Sequence, residues 1–248
     1  MSAVSDRALR IVVSQPMYFP WVGLLEQIRL ADIFVFYDDV QFARGFFNRV
    51  QIKTAHGTQW ITVPRVGKSR DLKINEVRLD NGVDWRAAHR AALKHAYAKA
   101  RYRDEMLAIL DSALSEPAQT LADIGRNSTV KLAEYFGLLE GRRFLLSSEL
   151  GIGGAASQRL FDIVKALGGS VYITGHGARR YLDHDLFERN GIAVEYMKYE
   201  MQPYPQLYGA FTPFVSSLDL AANCGREGAA LIASGTTGWR DFPVPAES

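Results

Sequence analysis

The sequence predicts an α/β fold: a mostly parallel sheet flanked by helices, with an antiparallel β insertion near residues 46–80. Three observations predict it. Short β-branched apolar runs alternate with stretches of helical periodicity. The first such pair, Leu9–Tyr37, has the length of one strand–loop–helix–strand unit. After residue 46 the pattern changes to short alternating runs around the turn pair His56-Gly57.

Leu9–Ser14 (LRIVVS) reads as the first buried strand. Pro16 and Pro20 stop it and delay the next helix, because each lacks an amide donor and restricts its predecessor. Trp21–Leu30 is helical, with Val22, Leu25 and Ile28 three apart, and Ile33–Tyr37 is the second strand. Val50–Lys53 and Gln59–Pro64 form a hairpin, and a further strand is expected at Ile74–Leu79 after the basic loop Val66–Lys73. Trp85–Leu114 is a long helical region broken near Arg101–Arg103, and Thr120–Phe136 is a helix closed by Gly137. Phe144–Ser147 is a strand. Ser157–Leu167 is a helix with Leu160, Ile163, Val164 and Leu167 inward. Val171–Thr174 and Ile192–Tyr196 are strands. Tyr204–Phe214, rich in aromatics and prolines, is a structured loop. Ser216–Gly225 holds a short helix capped by Ser216 or Ser217.

The chain is read as one domain over residues 1–240, with the β insertion (46–80) and a helical region (85–137) inside it. Asp241–Ser248, with two prolines, is expected to be a poorly ordered tail. A formal charge of +2 over 248 residues gives no basis for nucleic-acid or membrane binding, and no apolar window approaches a membrane span. The charged N-terminus is not expected to be a signal peptide. With a single cysteine, Cys224, no internal disulfide forms, so the cytoplasm is the expected compartment.

The loop Gln15–Gly23 joins the first strand to its helix, at the edge where open α/β sheets hold ligands. Its backbone amides and the helix N-terminus suit an anion or oxyanion, Gln15 both donates and accepts, and Tyr18 and Trp21 offer stacking faces. Equally, the loop is a proline-stiffened turn with core aromatics. Asp38 and Asp39 end the second strand. Alternation sends one into the cleft as a base or hydroxyl acceptor, while the other caps or pairs locally. Asn48 and Arg49 follow, and Arg49 suits a phosphate or carboxylate clamp as well as a surface position. Trp85, His89 and Tyr97 share one helix face, where a histidine is either a base or a satisfied core residue. His176, between Gly175 and Gly177, is a candidate for anion contact without completing a dinucleotide fingerprint. Asp219 fits a ligand hydroxyl or an ordinary helix start. Cys224 has no activating neighbour. No His/Asp grouping has metal-ligand spacing, and no cofactor is named by the sequence.

Taken in order, QPMYFPWVG (15–23), DDVQF (38–42), NRVQIK (48–53), QWITVP (59–64), Trp85 with His89 and Tyr97, YITGHGARRYLD (172–183) and FTPFVSSLDLAANCG (211–225) resemble the WbqC-like protein family. The resemblance spans Ile11–Gly225. It implies a bacterial protein set among genes for O-antigen and other surface polysaccharides, and an enzyme acting on a sugar or small amine by acyl or aminoacyl transfer. It strengthens Gln15, Asp38, Asn48, Arg49 and His89 and adds Tyr181 as a substrate contact. Tyr37 departs from an aliphatic residue usual in the family, at the pocket wall, and Arg101 from a proline at the helix break.

These readings combine into an expected transferase that modifies a sugar nucleotide or related amine. His89 or Asp38 is the base, Gln15 steadies the oxyanion, and Tyr18, Trp21, Asp39, Asn48, Arg49, Tyr97, His176, Tyr181 and Asp219 bind substrate. Two alternatives stand beside it. The opening element order also resembles nucleotidylyltransferases, but the loop Tyr-Phe-Pro-Trp-Val-Gly lacks their histidines. A non-catalytic sugar-nucleotide binder fits the same aromatic and amide residues.

Overall fold

The structure is a computed structural model that describes residues 7–43, 45, 47–67 and 71–243. Its centre is a six-stranded sheet. β1 (Arg10–Ser14), β2 (Ile33–Phe36), β5 (Arg143–Leu146), β6 (Val171–Thr174) and β7 (Ala193–Lys198) run parallel, and β8 (Gly235–Gly238) is antiparallel on β7. β3 (Arg49–Thr54) and β4 (Gly57–Thr62) form a separate hairpin. The strand order is β5-β2-β1-β6-β7-β8. The chain leaves β1 for β2 on one side and later places β6 on the other. The crevice between β1 and β6 is therefore the point where the direction of winding reverses.

Alternation in the strands divides the core into two layers. Val12, Phe34 and Phe36 face one side, against α1 (Val22–Leu30), α2 (Trp85–Ala96), α3 (Arg103–Ser115), α4 (Leu121–Tyr135), α7 (Ser217–Cys224) and the hairpin. Ile11, Val13, Ile33 and Val35 face the other, against α5 (Ala156–Ala166) and α6 (His184–Glu188). All four residues of β2 are buried, which is why it reads as an unbroken apolar run.

Local chemistry sets the helix boundaries. Asp84 accepts the Ala87 amide to start α2, Thr120 and Asp123 cap α4 reciprocally, and Asp183 accepts the Leu186 amide to start α6. The break between α2 and α3 falls at residues 97–102, so it overlaps the expected Arg101–Arg103 but begins earlier, and Arg103 already starts α3.

Two local expectations are corrected. Ile74–Leu79 is not a strand: Ile74–Glu76 is a 3₁₀ turn closed by the Glu76 carboxylate on the Lys73 amide, and single bridges, Gln41–Lys73, Arg65–Leu79 and Arg78–Thr120, flank it. The Ile74 and Asn75 amides bond instead to the carbonyls of Val40 and Asp38, which folds this stretch over the end of β2. Strand β8 carries no apolar pattern and is seen only in its pairing with β7. At the expected tail, Phe242 is buried against Tyr196 and His176, so order extends at least to Pro243, and residues 244–248 lie outside the described residues. Among the described residues no helix is long and apolar enough to cross a membrane.

Candidate functional site

A cavity of about 710 Å³ opens at the carboxyl ends of β1, β2 and β6. β1 supplies Ser14 and Gln15, β2 leads into Tyr37 and Asp39, and β6 supplies Thr174 and Gly175. From the outer layer, α5 brings Arg159, and the turn after β6 brings Tyr181. Val13, Met17, Phe47 and Leu160 form apolar wall, while Gln27 and Gln41 add amides. The cavity therefore has the position and the mixture of apolar and convergent polar groups that small-molecule sites show.

Asp39 and Arg159 organise its floor. Arg159 Nη2 donates to Asp39 Oδ2 at 2.5 Å, and its Nε donates to the Ile152 carbonyl at 3.0 Å. The guanidinium lies 4.9 Å from the centre of the Tyr37 ring. The side chains of this pair are 7% and 16% exposed, so both charges are largely withdrawn from water but reach the cavity. Burial acts to raise the pKa of Asp39. The hydrogen bonds from Arg159 and Ser147, with the Arg159 charge, outweigh burial and hold the carboxyl below its usual range. Burial raises the Tyr37 phenol above its ordinary value against the opposing Arg159 charge. Tyr181, 64% exposed, stands at the mouth.

The alternation at the end of β2 separates the two aspartates. Asp38 is 3% exposed and does not line the cavity. Its Oδ1 accepts the Ser148 amide at 3.0 Å and its Oδ2 accepts the Ser148 hydroxyl at 2.7 Å. Ser147 Oγ stands within hydrogen-bond reach of both aspartates. Asp38 thus clasps the end of β2 to the end of β5, and it is Asp39 that faces the ligand space. This corrects the placement of Asp38 as a base in the cleft.

The Gln15–Gly23 loop reaches the cavity at Gln15 and Met17 and then turns inward. Helix α4 holds it: the Phe19 amide donates to Ser128 Oγ, and Ser128 and Thr129 Oγ donate to the Met17 carbonyl. Gly125 allows this contact, since a Cβ there would stand 3.1 Å from Pro16. From the other side Ser216 and Ser217 Oγ donate to the carbonyls of Phe19 and Pro20. The amides of Tyr18 and Phe19 are consumed by Phe47 and Ser128, and the Trp21 ring covers the start of α1 at Gly23. Two of the loop's amides are therefore not open to an anion, and the Gln15 side chain is a polar contribution of the loop to the cavity.

Eight further expected site residues lie elsewhere. Tyr18 is fully buried, and its hydroxyl is 3.0 Å from His89 Nδ1. His89 Nε2 is 3.2 Å from the Thr62 carbonyl, which only accepts; Nε2 therefore carries the proton and Nδ1 accepts from Tyr18. Burial between Tyr18, Trp85 and the hairpin lowers the His89 pKa to about 4. His89 is a satisfied core histidine rather than a base in the cleft. Tyr97, also buried, donates to Asp219 Oδ2 at 2.9 Å, so both belong to a sealed network under α7. Burial raises the pKa of Asp219 despite hydrogen bonds from Tyr97, Tyr204 and Gln206. Trp21 packs against Tyr199 and Phe214, and Asn48 Nδ2 donates to the Val63 carbonyl. Arg49 lies over Trp60 on the hairpin. His176 Nε2 donates to the Met197 carbonyl and borders a separate cavity of about 610 Å³ with Lys198, Tyr199 and Phe242.

The fold thus gathers Gln15, Asp39 and Tyr181 from the expected set, and adds Arg159, Tyr37, Gln27, Gln41 and Thr174. Arg159 carries no sequence signal of its own, since it sits in a helix read for its apolar face. Tyr37 was marked at the pocket wall by its departure from the family pattern, and it lines the cavity. Among the described residues no group of three or more His, Cys, Asp or Glu is placed to hold a metal ion.

Comparison with known proteins bears on the whole of this architecture. The Uncharacterized protein Rv1507c of Mycobacterium tuberculosis (strain ATCC 25618 / H37Rv) is 34% identical over 222 residues, covering 88% of this chain and 95% of that protein. No solved structure matches the chain. The family description "WbqC-like protein family" matches residues 15–230, from the first residue of the cavity loop to beyond α7. The chain belongs to the WbqC-like protein family.

Proposed function

We propose that the protein is a transferase acting on a sugar nucleotide or related small amine, and that it places an acyl or aminoacyl group on the amino nitrogen in the cavity between β1, β2 and β6. The observation that carries this reading is the position of Asp39. It is the one carboxylate among the described lining residues, and it sits beside amide and hydroxyl groups at the winding-reversal crevice. The acyl-transfer chemistry itself comes from what the family resemblance implies.

In this reading Asp39 receives the substrate ammonium, and Gln15, Gln27 and Thr174 receive hydroxyls. The ammonium first gives one proton to solvent, and the free amine nitrogen then bonds to the acyl carbon of an activated donor. The bond from that carbon to the leaving group breaks with its electron pair, and the amine proton passes through Asp39 to solvent. The Gln15 amide stabilises the developing oxyanion. Arg159 fixes Asp39 and supplies the positive charge for an anionic part of substrate or donor.

Incubation with amino-sugar nucleotides, simple amines and acyl donors, read by mass spectrometry, tests this. The expected product is heavier by the acyl group and absent with Asp39→Asn. Equal turnover by wild type and by Asp39→Asn removes Asp39 from the reaction. One observation favours a second reading, a non-catalytic small-molecule binder. A carboxylate held below its ordinary range in an ion pair is a weak base. Thermal stabilisation by a ligand, with no product from any donor, selects that reading.

A further inference from the structure

We propose that the amine held in this cavity belongs to a zwitterion of the amino-acid class, its ammonium received by Asp39 and its carboxylate by Arg159. The inference rests on reading the cavity as the amine site, and it narrows the substrate class from amines in general to amino acids and their close analogues.

Charge balance is the first argument. Among the described lining residues only Asp39 and Arg159 are charged at neutral pH; the polar remainder are Ser14, Gln15, Gln27, Gln41, Thr174 and tyrosines. The formal charge of the described wall is therefore zero. A sugar-nucleotide diphosphate brings at least two negative charges into a space where the one guanidinium among the described lining residues is already committed to a carboxylate. Such an anion loses its hydration without a matching cation. A zwitterion enters with no net charge and with one group of each sign.

Residual hydrogen-bonding capacity is the second argument. A guanidinium has five N–H groups. Ile152 and Asp39 accept two from Arg159, and the Tyr37 hydroxyl stands at the same guanidinium. Asp39 accepts from Arg159 on Oδ2 and faces Ser147 on Oδ1, leaving lone pairs on an acceptor with about four sites. Each member of the pair can thus take a ligand group of opposite sign without releasing its partner. The two side chains are in direct contact, so the two opposite groups of one small zwitterion fall within reach of both. Val13, Met17, Phe47 and Leu160 supply apolar wall for its side chain, and about 710 Å³ leaves room for an acyl donor beside it.

Thermal-shift measurement of the wild-type protein against the twenty amino acids and a UDP-amino sugar tests this. The best amino acid is then titrated by calorimetry beside its carboxamide and its N-acetyl form. At least one amino acid is expected to raise the melting temperature. Blocking either charge is expected to weaken binding by roughly tenfold or more, the loss of one charge-assisted hydrogen bond. Arg159→Gln is expected to bring the acid and the carboxamide to equal affinity; because that variant loses stability, the wild-type ligand series decides by itself. If the UDP-amino sugar binds and no amino acid does, the zwitterion is overturned while the proposed amine site stands. If neither binds and no acylated product forms, both fall.

Discussion

Arg159 and Asp39 stand 120 residues apart in sequence and meet in an ion pair on the floor of the cavity, the guanidinium lying over the Tyr37 ring. The pair ties α5, on one face of the sheet, to the end of β2. Removing one member leaves the other charge largely buried without its partner, which costs more than the pair contributes. Arg159→Gln is expected to lower unfolding stability by about 2–4 kcal/mol, measured by urea titration. Adding Asp39→Asn removes the orphaned charge and is expected to restore most of the lost stability, while ligand binding is lost with the carboxylate. A double variant as unstable as the sum of the singles would show that the two do not act as a pair.

Asp38 and Asp39 are neighbours with opposite tasks. Asp38 is hydrogen-bonded to Ser148 through its amide and hydroxyl and holds β2 to β5, outside the cavity. Asp38→Ala leaves these donors without an acceptor and is expected to cost about 2–3 kcal/mol. Ligand affinity per folded molecule is expected to hold. Asp39→Asn leaves Arg159 without its partner and is expected to lose stability too, but with binding lost as well. Calorimetric titration of both variants with the same ligand separates them; equal loss of affinity in both would place Asp38 in the site after all.

His89 gives the fold a pH dependence. Its pKa is lowered to about 4 by burial, against an ordinary value near 6.5. Between these values the unfolded chain binds the proton that the folded chain refuses, so stability falls as pH falls through this window. The contribution is complete above pH ~6.5 and has declined by about 3 kcal/mol once pH reaches the folded value. Thermal melts from pH 7.5 to 4 are expected to show this slope, and His89→Gln to flatten it. Under the proposed chemistry the same variant keeps measurable turnover at neutral pH. A turnover loss larger than the loss of folded protein would return His89 to the reaction.

Much of the frame was legible in the sequence because it depends on neighbours in the chain. The apolar run Ile33–Phe36 and the helix starting at Thr120 are local signals that the structure bears out, and the break expected near Arg101–Arg103 falls slightly earlier, at residues 97–102. The site was less legible because its selection is made across the sheet. Nothing near Arg159 shows that it leaves the solvent-facing pattern of α5 to reach Asp39. His89 has the sequence appearance of a base, but only the arrival of Tyr18 and the Thr62 carbonyl makes it a sealed core group. Strand β8, Gly-Thr-Thr-Gly, exists through pairing with β7 and has no pattern of its own.

The start of α1 offers a test of how the cavity loop is shaped. A Cβ at Gly23 would lie 2.1 Å from the Trp21 ring, which folds back over the helix and packs on Tyr199 and Phe214. Gly23→Ala must displace that ring, and overpacking of this kind costs about 1–3 kcal/mol. A Trp21→Ala background removes the three atoms nearest to that Cβ. There alanine is expected to stabilise the helix by about 0.5–1 kcal/mol relative to glycine. The four proteins form a double-mutant cycle readable by urea titration, with a coupling of opposite sign to the single Gly23→Ala effect. The displaced ring lies on the inward-turning half of the loop, whereas Gln15 lies on the half that lines the cavity. Gly23→Ala is therefore expected to change stability with ligand affinity nearly unaltered. A parallel loss of affinity would mean that the two halves of the loop move together, and that Trp21 positions Gln15 from a distance.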